Sequence, residues 1–488
     1  MGSPVVRPRI TRGMPVDTRL LALIFRAYSL GYLTTTGPRI VSFIRILLKQ
    51  NVTNRDKVNH LLHVLRRAFR WSSFPTFCAL LVGGSTLLEK VLQRAISKNG
   101  TLSQSSIQTI RFVSILCTSW ACFPLLNSKR RPESKPNKIR QERPDAEIHD
   151  LPTSTLNDGR VQSLDPSDLA GRTLDLTLFA TTRAIDVLAC TFWKRWKYHR
   201  KSLNKWTYLE SIIPQLGDAG LFAASSAVIM WAWFYLPERL PYSYGRWIGE
   251  AAQIDKRLIE ALRSGRRAEW TYGKPKGDKE VLESMCRDYG FPEEWGDTSK
   301  TIPIPCELVH MGCGPSCEKH ALWRFSKSFM FACSTYFPLQ LLLQWRSRSM
   351  KAYTKAAEAA ARSSAFLALF VTLFYYSVCL ARTRLGPKLF SSQKVTPMMW
   401  DSGLCVGAGC FMCGWSILVE NARKRREVAL FVAPRAAATL LPRRYERKYL
   451  WRENMAFALS TAIVLTSVQA NPKIVRGVMG KILGVVYK

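Results

Sequence analysis

Residues 306–344 read CELVHMGCGPSCEKHALWRFSKSFMFACSTYFPLQLLLQ, and the second half of this stretch decides the fold class. From Ser328 to Trp345 no side chain is charged, Lys327 and Arg346 bracket the run, and Trp345 supplies an interfacial aromatic. A helix of that length rises about 27 Å, enough to cross the hydrocarbon core of a bilayer. The first half gathers five soft ligands, Cys306, His310, Cys313, Cys317 and His320, around a turn at Gly314-Pro315. Thiolate and imidazole are the ligands of structural zinc. The spacings overlap instead of forming two separated pairs, so a zinc site, a disulfide or packing role, and inert thiols all stay open.

Apolar runs recur along the chain. Before the cluster they fall at Leu20–Leu48, broken by Arg26, Arg39, Arg45 and Gly37-Pro38, at Trp71–Leu88 and Phe112–Ser128, at Leu174–Trp193, interrupted by Arg183 and Asp186, and at Ala219–Pro237. After it they fall at Ser328–Trp345, Ser363–Ala381, Ser402–Val419, an arginine-containing stretch Val428–Leu441, and Asn454–Pro472. Small residues at Gly83-Gly84, Gly407-Ala408-Gly409 and Gly414 mark places where helices can approach closely. The pattern predicts an all-α, polytopic helical membrane protein with eight to ten embedded helices.

The polar stretches complete the plan. Residues 1–19 form a basic tail without the apolar core of a secretory signal. Residues 129–172 are charged and proline-rich, a disordered linker inside the first membrane module, and residues 250–305 form a polar connector that keeps Trp270, Leu282, Met285 and Trp295. The cluster occupies 306–320.

Mean hydropathy is only -0.05 because 71 lysines and arginines against 35 acids, a net charge of +36, sit between the apolar runs. Basic residues flanking apolar segments suit anionic lipid head groups, so the bilayer is the expected partner and nucleic acid is not. Thirteen cysteines show no secreted framework, and Cys78, Cys117, Cys122, Cys379, Cys405, Cys410 and Cys413 read as small buried hydrophobes inside apolar runs.

Cys306-Glu307, His310 and Ser316-Cys317, followed by a basic turn and an aromatic segment with Tyr336 and Pro338, resemble the cysteine-rich motif of the transmembrane protein 135 family, also called peroxisomal membrane protein 52. That family is in turn distantly similar to the channel-forming subunits of the mitochondrial protein-import translocase. The resemblance implies a multi-spanning, non-enzymatic protein of the peroxisomal or mitochondrial membrane, acting in organelle dynamics or lipid handling. Its expected partners are a second copy of the chain or other organelle-membrane proteins.

The two halves also resemble each other. FAASSAVIM at 222–230 aligns without a gap to FALSTAIVL at 457–465, with Pro237 falling on Pro472, and LFATTRA at 178–184 aligns to LFVAPRA at 430–436. Two tandem, similar modules of about five apolar segments each follow, covering 20–249 and 321–488. In both, an arginine lies in the fourth segment (Arg183, Arg435) and an acid precedes the fifth (Asp218, Glu453). Two structural ion pairs are therefore expected, Arg183 with Asp218 and Arg435 with Glu453, against the alternative that each side chain reaches its own head-group layer.

No phosphate-binding glycine loop, nucleophile elbow or His-Glu-x-x-His is present. Thiol and imidazole alone specify no reaction, so no enzyme and no cofactor other than a structural zinc are expected. A transporter or channel with its pathway between the repeated modules is the alternative.

Overall fold

The structure is a computed structural model and describes residues 16–47, 62, 65–66, 69–97, 103–127, 169–275, 277, 279–344, 349–391 and 393–487. Most of the expected tail and of the 129–172 linker, and Trp345, lie outside the described residues.

In chain order the main helices are α1 (Val16–Leu47), α2 (Phe74–Ser97), α3 (Gln104–Leu126), α4 (Leu174–Ser202), α5 (Tyr208–Tyr235), α6 (Tyr242–Ala252), α7 (Lys256–Arg266) and α8 (Glu280–Tyr289), followed by α9 (Cys317–Leu343), α10 (Met350–Cys379), α11 (Cys405–Cys413), α12 (Ala422–Leu440), α13 (Leu450–Ala470) and α14 (Gly477–Val486). Two two-residue strands, β1 (Leu169–Ala170) and β2 (Tyr445–Glu446), pair antiparallel, with Leu169 opposite Glu446. Local chemistry explains many of the boundaries. Ser103 caps α3 by accepting from the Ser106 amide, Thr207 and Glu210 form a reciprocal capping box on α5, and Ser316 caps α9 from the Lys319 amide. Helices α5 and α13 each stop two residues before a proline, Pro237 and Pro472, whose ring disfavours helical backbone in the residue before it.

Six helical stretches among the described residues are long and apolar enough to cross a membrane: Phe74–Ser97, Gln104–Leu126, Leu174–Ser202, Leu216–Tyr235, Met350–Leu389 and Pro397–Val419. This is the architecture of an integral, all-helical polytopic protein. The expected spans Ser328–Trp345 and Asn454–Pro472 are not among the six; α9 carries serine, threonine and glutamine among its apolar residues, and α13 carries Glu453, Asn454 and Gln469. Helix α1 begins at Val16, within the stretch read as tail, and continues through Gly37-Pro38.

The chain divides into two compact units that do not follow the boundaries expected at 20–249 and 321–488. Among the described residues, unit 1 holds 16–127, 169–199 and 444–487, and unit 2 holds 200–443. In unit 1, α1 packs on α2, α2 on α3 and α3 on α13. Gly83 and Gly84 allow this: an added methyl would lie 2.7 Å from Ile24 of α1 at one and 2.9 Å from Thr118 of α3 at the other. Phe457 of α13 sits between Phe123, 4.8 Å away, and Phe77, 5.8 Å away, at the centre of that core. In unit 2, α9 packs on α10, α10 on α11, and α5 on both α11 and α12. The connector helices α7 and α8 build a smaller core from Leu258, Trp270, Leu282, Met285 and Leu308.

Candidate functional site

The Cys/His cluster of unit 2 starts from a short turn of helix, Cys306–Val309, that ends at His310. His310 is fully buried, and its Nδ1 lies 2.8 Å from the Gly314 carbonyl oxygen. A carbonyl only accepts, so Nδ1 carries the proton and Nε2 presents a lone pair. The ligand atoms of Cys306, His310 and Cys317 all lie within 4.8 Å of one another. Cys317 opens α9 and is the hydrogen-bond partner of both the Cys306 thiol and the Cys379 thiol. Cys379, in the last turn of α10, places its Sγ 3.4 Å from His310 Nε2. Burial pushes the Cys306 thiol up to about 11, with Arg382 opposing and Cys317 adding to the rise.

Of the five expected ligands, three converge and two do not. Cys313 stays half-exposed on the turn, outside the converging group. His320 stacks on His310, ring centres 4.5 Å apart at 16°, and meets Tyr375 edge-on, with no hydrogen-bond partner on either nitrogen among the described residues. Burial first, then the neighbouring His310 and Arg324, lower its pKa to about 3, so it is a neutral aromatic plate behind the cluster. Cys379 was hidden by its place in an apolar run. So was the part played by Arg324, which is buried at 1% exposure and donates to the Ala252 and Gln253 carbonyls at 3.3 and 3.0 Å while lying over Tyr375. It satisfies the carbonyl end of α6, whose final residues have no helical amide to meet.

A second feature of unit 2 is a cavity of about 340 Å³ between α5, α6, α10 and α12. Its walls are apolar, among them Phe222, Ile229, Phe234, Leu367, Phe370, Val371 and Val432. The charged lining residues meet at one place: Ser363 donates to Glu420 at 2.8 Å, Lys424 pairs with Glu420 at 3.0 Å, and the Glu420 side chain is 2% exposed. Along α10 the lining runs from Ser363 to Tyr375, about 18 Å of helix at 1.5 Å per residue.

The four expected ion-pair residues have other partners. Asp218 is paired with Arg426 of α12 at 3.3 Å. Glu453 accepts from Thr177 at 3.1 Å and from Thr173 and Tyr445. Arg183 lies over Phe179 and donates to the Arg476 carbonyl, and Arg435 lies over Phe431 and donates to its carbonyl. The physical reason is helical geometry: an arginine four residues after a phenylalanine on one helix stacks on that ring without leaving its own turn.

Comparison with protein families, with curated proteins and with solved structures finds no match to this chain.

Proposed function

We propose that the chain is a non-enzymatic membrane protein of the peroxisome or mitochondrion that handles lipid, as its resemblance to the transmembrane protein 135 family implies, and that it holds one acyl chain in the cavity of unit 2. The cavity's lining is the observation that carries this reading. It is mostly apolar, follows α10 for about 18 Å, and has its charged residues, Glu420 and Lys424, together with Ser363 beside the end of the Pro397–Val419 segment. A hydrocarbon tail fits the first property and a polar head the second. A water-soluble solute has no polar path along those walls, which favours lipid handling over a solute channel.

Native mass spectrometry of the full chain, purified in mild detergent, tests this. Wild type is expected to retain a lipid, and Val371→Trp, which fills the cavity from α10, to lose it at unchanged helicity, while Leu188→Trp on an exposed face of α4 keeps it. Equal retention in wild type and Val371→Trp, or flux of a small hydrophilic solute in proteoliposomes without retained lipid, would overturn the reading.

We also propose that the two halves arose by tandem duplication. Positions 222–230 and 457–465 share their pattern of buried and exposed residues at every position but 227 and 462, and the acids Asp218 and Glu453 are both buried. Each acid bonds near the start of the fourth segment of the other half. In the alignment that places 178 on 430, Arg426 falls on Leu174, beside Thr173. The fifth segments are thus exchanged, α5 packing with the second half's helices and α13 with the first half's.

A further inference from the structure

We infer that Cys306, His310, Cys317 and Cys379 form a four-ligand zinc site that fastens the start of α9 and the loop before it to the end of α10. Zinc–sulfur and zinc–nitrogen bonds of about 2.3 and 2.05 Å at tetrahedral angles separate a sulfur from a nitrogen ligand by about 3.6 Å and two sulfurs by about 3.8 Å. His310 Nε2 and Cys379 Sγ already stand 3.4 Å apart, and the atoms offered by Cys306, His310 and Cys317 lie within 4.8 Å of one another. Cys379 stands outside that three-residue group but meets it at His310 and at Cys317, so closing the set around one ion draws the end of α10 toward Cys306.

The surroundings supply what such a site requires. The His310 tautomer is set by the Gly314 carbonyl, the usual outer partner of a zinc-bound imidazole. Cys317 is the first residue of the long helix α9, so its sulfur is held at a fixed helix end beside the loop that carries Cys306 and His310. The guanidinium of Arg382, which is itself paired with Asp401, lies near enough to act on Cys306. His310, Cys317 and Cys379 are each at most 7% exposed, and Cys306 is half-buried. Binding releases three thiol protons to solvent and changes no oxidation state. With four protein ligands no position is left for substrate, so the site is structural. The inference does not depend on the lipid reading, because the ligands belong to different residues from the cavity walls.

The test uses the full chain purified in detergent without chelator. Elemental analysis is expected to find one zinc per chain, falling to background in Cys379→Ser and in Cys317→Ser and staying at one in Cys313→Ser. Should the serine variants fail to fold, exchanging cobalt into the wild-type protein decides the matter: the inference requires the d–d spectrum of a tetrahedral ion and the charge-transfer intensity of three thiolates. It is overturned by wild-type protein that neither carries nor takes up metal, by a disulfide between any two of these cysteines, or by zinc that survives Cys379→Ser and disappears in Cys313→Ser.

Discussion

At the residue scale the most consequential contact is one that no pattern in the chain announced. Arg382 and Asp401 are buried together, their side chains 5% and 3% exposed, and Arg382 Nη2 donates to Asp401 Oδ2 at 2.9 Å and to the Ile304 carbonyl. Tyr272 completes the set by donating to the same carboxylate. Removing one member strands the other charge out of water, so Arg382→Met is expected to cost about 3–5 kcal/mol. Replacing both, Arg382→Met with Asp401→Leu, should recover most of that, because the attraction lost is repaid by the desolvation avoided. Thermal unfolding midpoints in detergent, compared across the two single variants and the double, read the difference.

Between elements, packing distance decides what each glycine is for. A methyl added to Gly414 would lie 2.4 Å from the Cα of Ala223 in α5, a clash with backbone that no rotamer relieves. Gly414→Ala is therefore expected to destabilise unit 2 by about 1–3 kcal/mol. Gly220, on α5 itself, meets nothing within 4 Å, and Gly220→Ala should be neutral or stabilising by up to about 1 kcal/mol. The same midpoint measurement separates the two. Helices α5 and α12 are also tied by Asp218 and Arg426, whose side chains are 11% and 35% exposed. Solvent screens such a pair, so a double-mutant cycle with Asp218→Arg and Arg426→Asp should show a coupling of about 0.5–1 kcal/mol. Simple additivity would mean that the pair contributes nothing.

For the whole molecule, the order of segments along the chain differs from the order in which they pack. Phe457, near the C-terminal end, fills the core made by Phe77 and Phe123 near the N-terminal end. Helix α5, from the first half, lies against α11 and α12 of the second. Cutting the chain within the connector therefore separates α5, α6 and α7 from the rest of unit 2, and α13 and α14 from the rest of unit 1. Fragments 1–277 and 279–488 expressed separately are expected to be protease-sensitive. Expressed together they should regain resistance and co-purify, since every core helix is then available. Two fragments that are each resistant alone would mean that the packing of α5 in unit 2 and of α13 in unit 1 is dispensable.

Hydropathy, charge and capping are local properties, and what they determine was legible in the sequence: an all-helical membrane protein, the ends of α5 and α13 before Pro237 and Pro472, close approach at Gly83-Gly84 and Gly414, and a Cys/His cluster at 306–320. A local signal cannot tell which apolar face meets lipid and which meets another helix, because both demand the same side chains. For that reason the partners of Asp218 and Glu453, the places of α5 in unit 2 and α13 in unit 1, and the cavity walls emerged only from packing. Cys379 shows the limit most directly. In sequence it is one small apolar residue in the run from Ser363 to Ala381, and only the close packing of α9 on α10 places its sulfur 3.4 Å from His310.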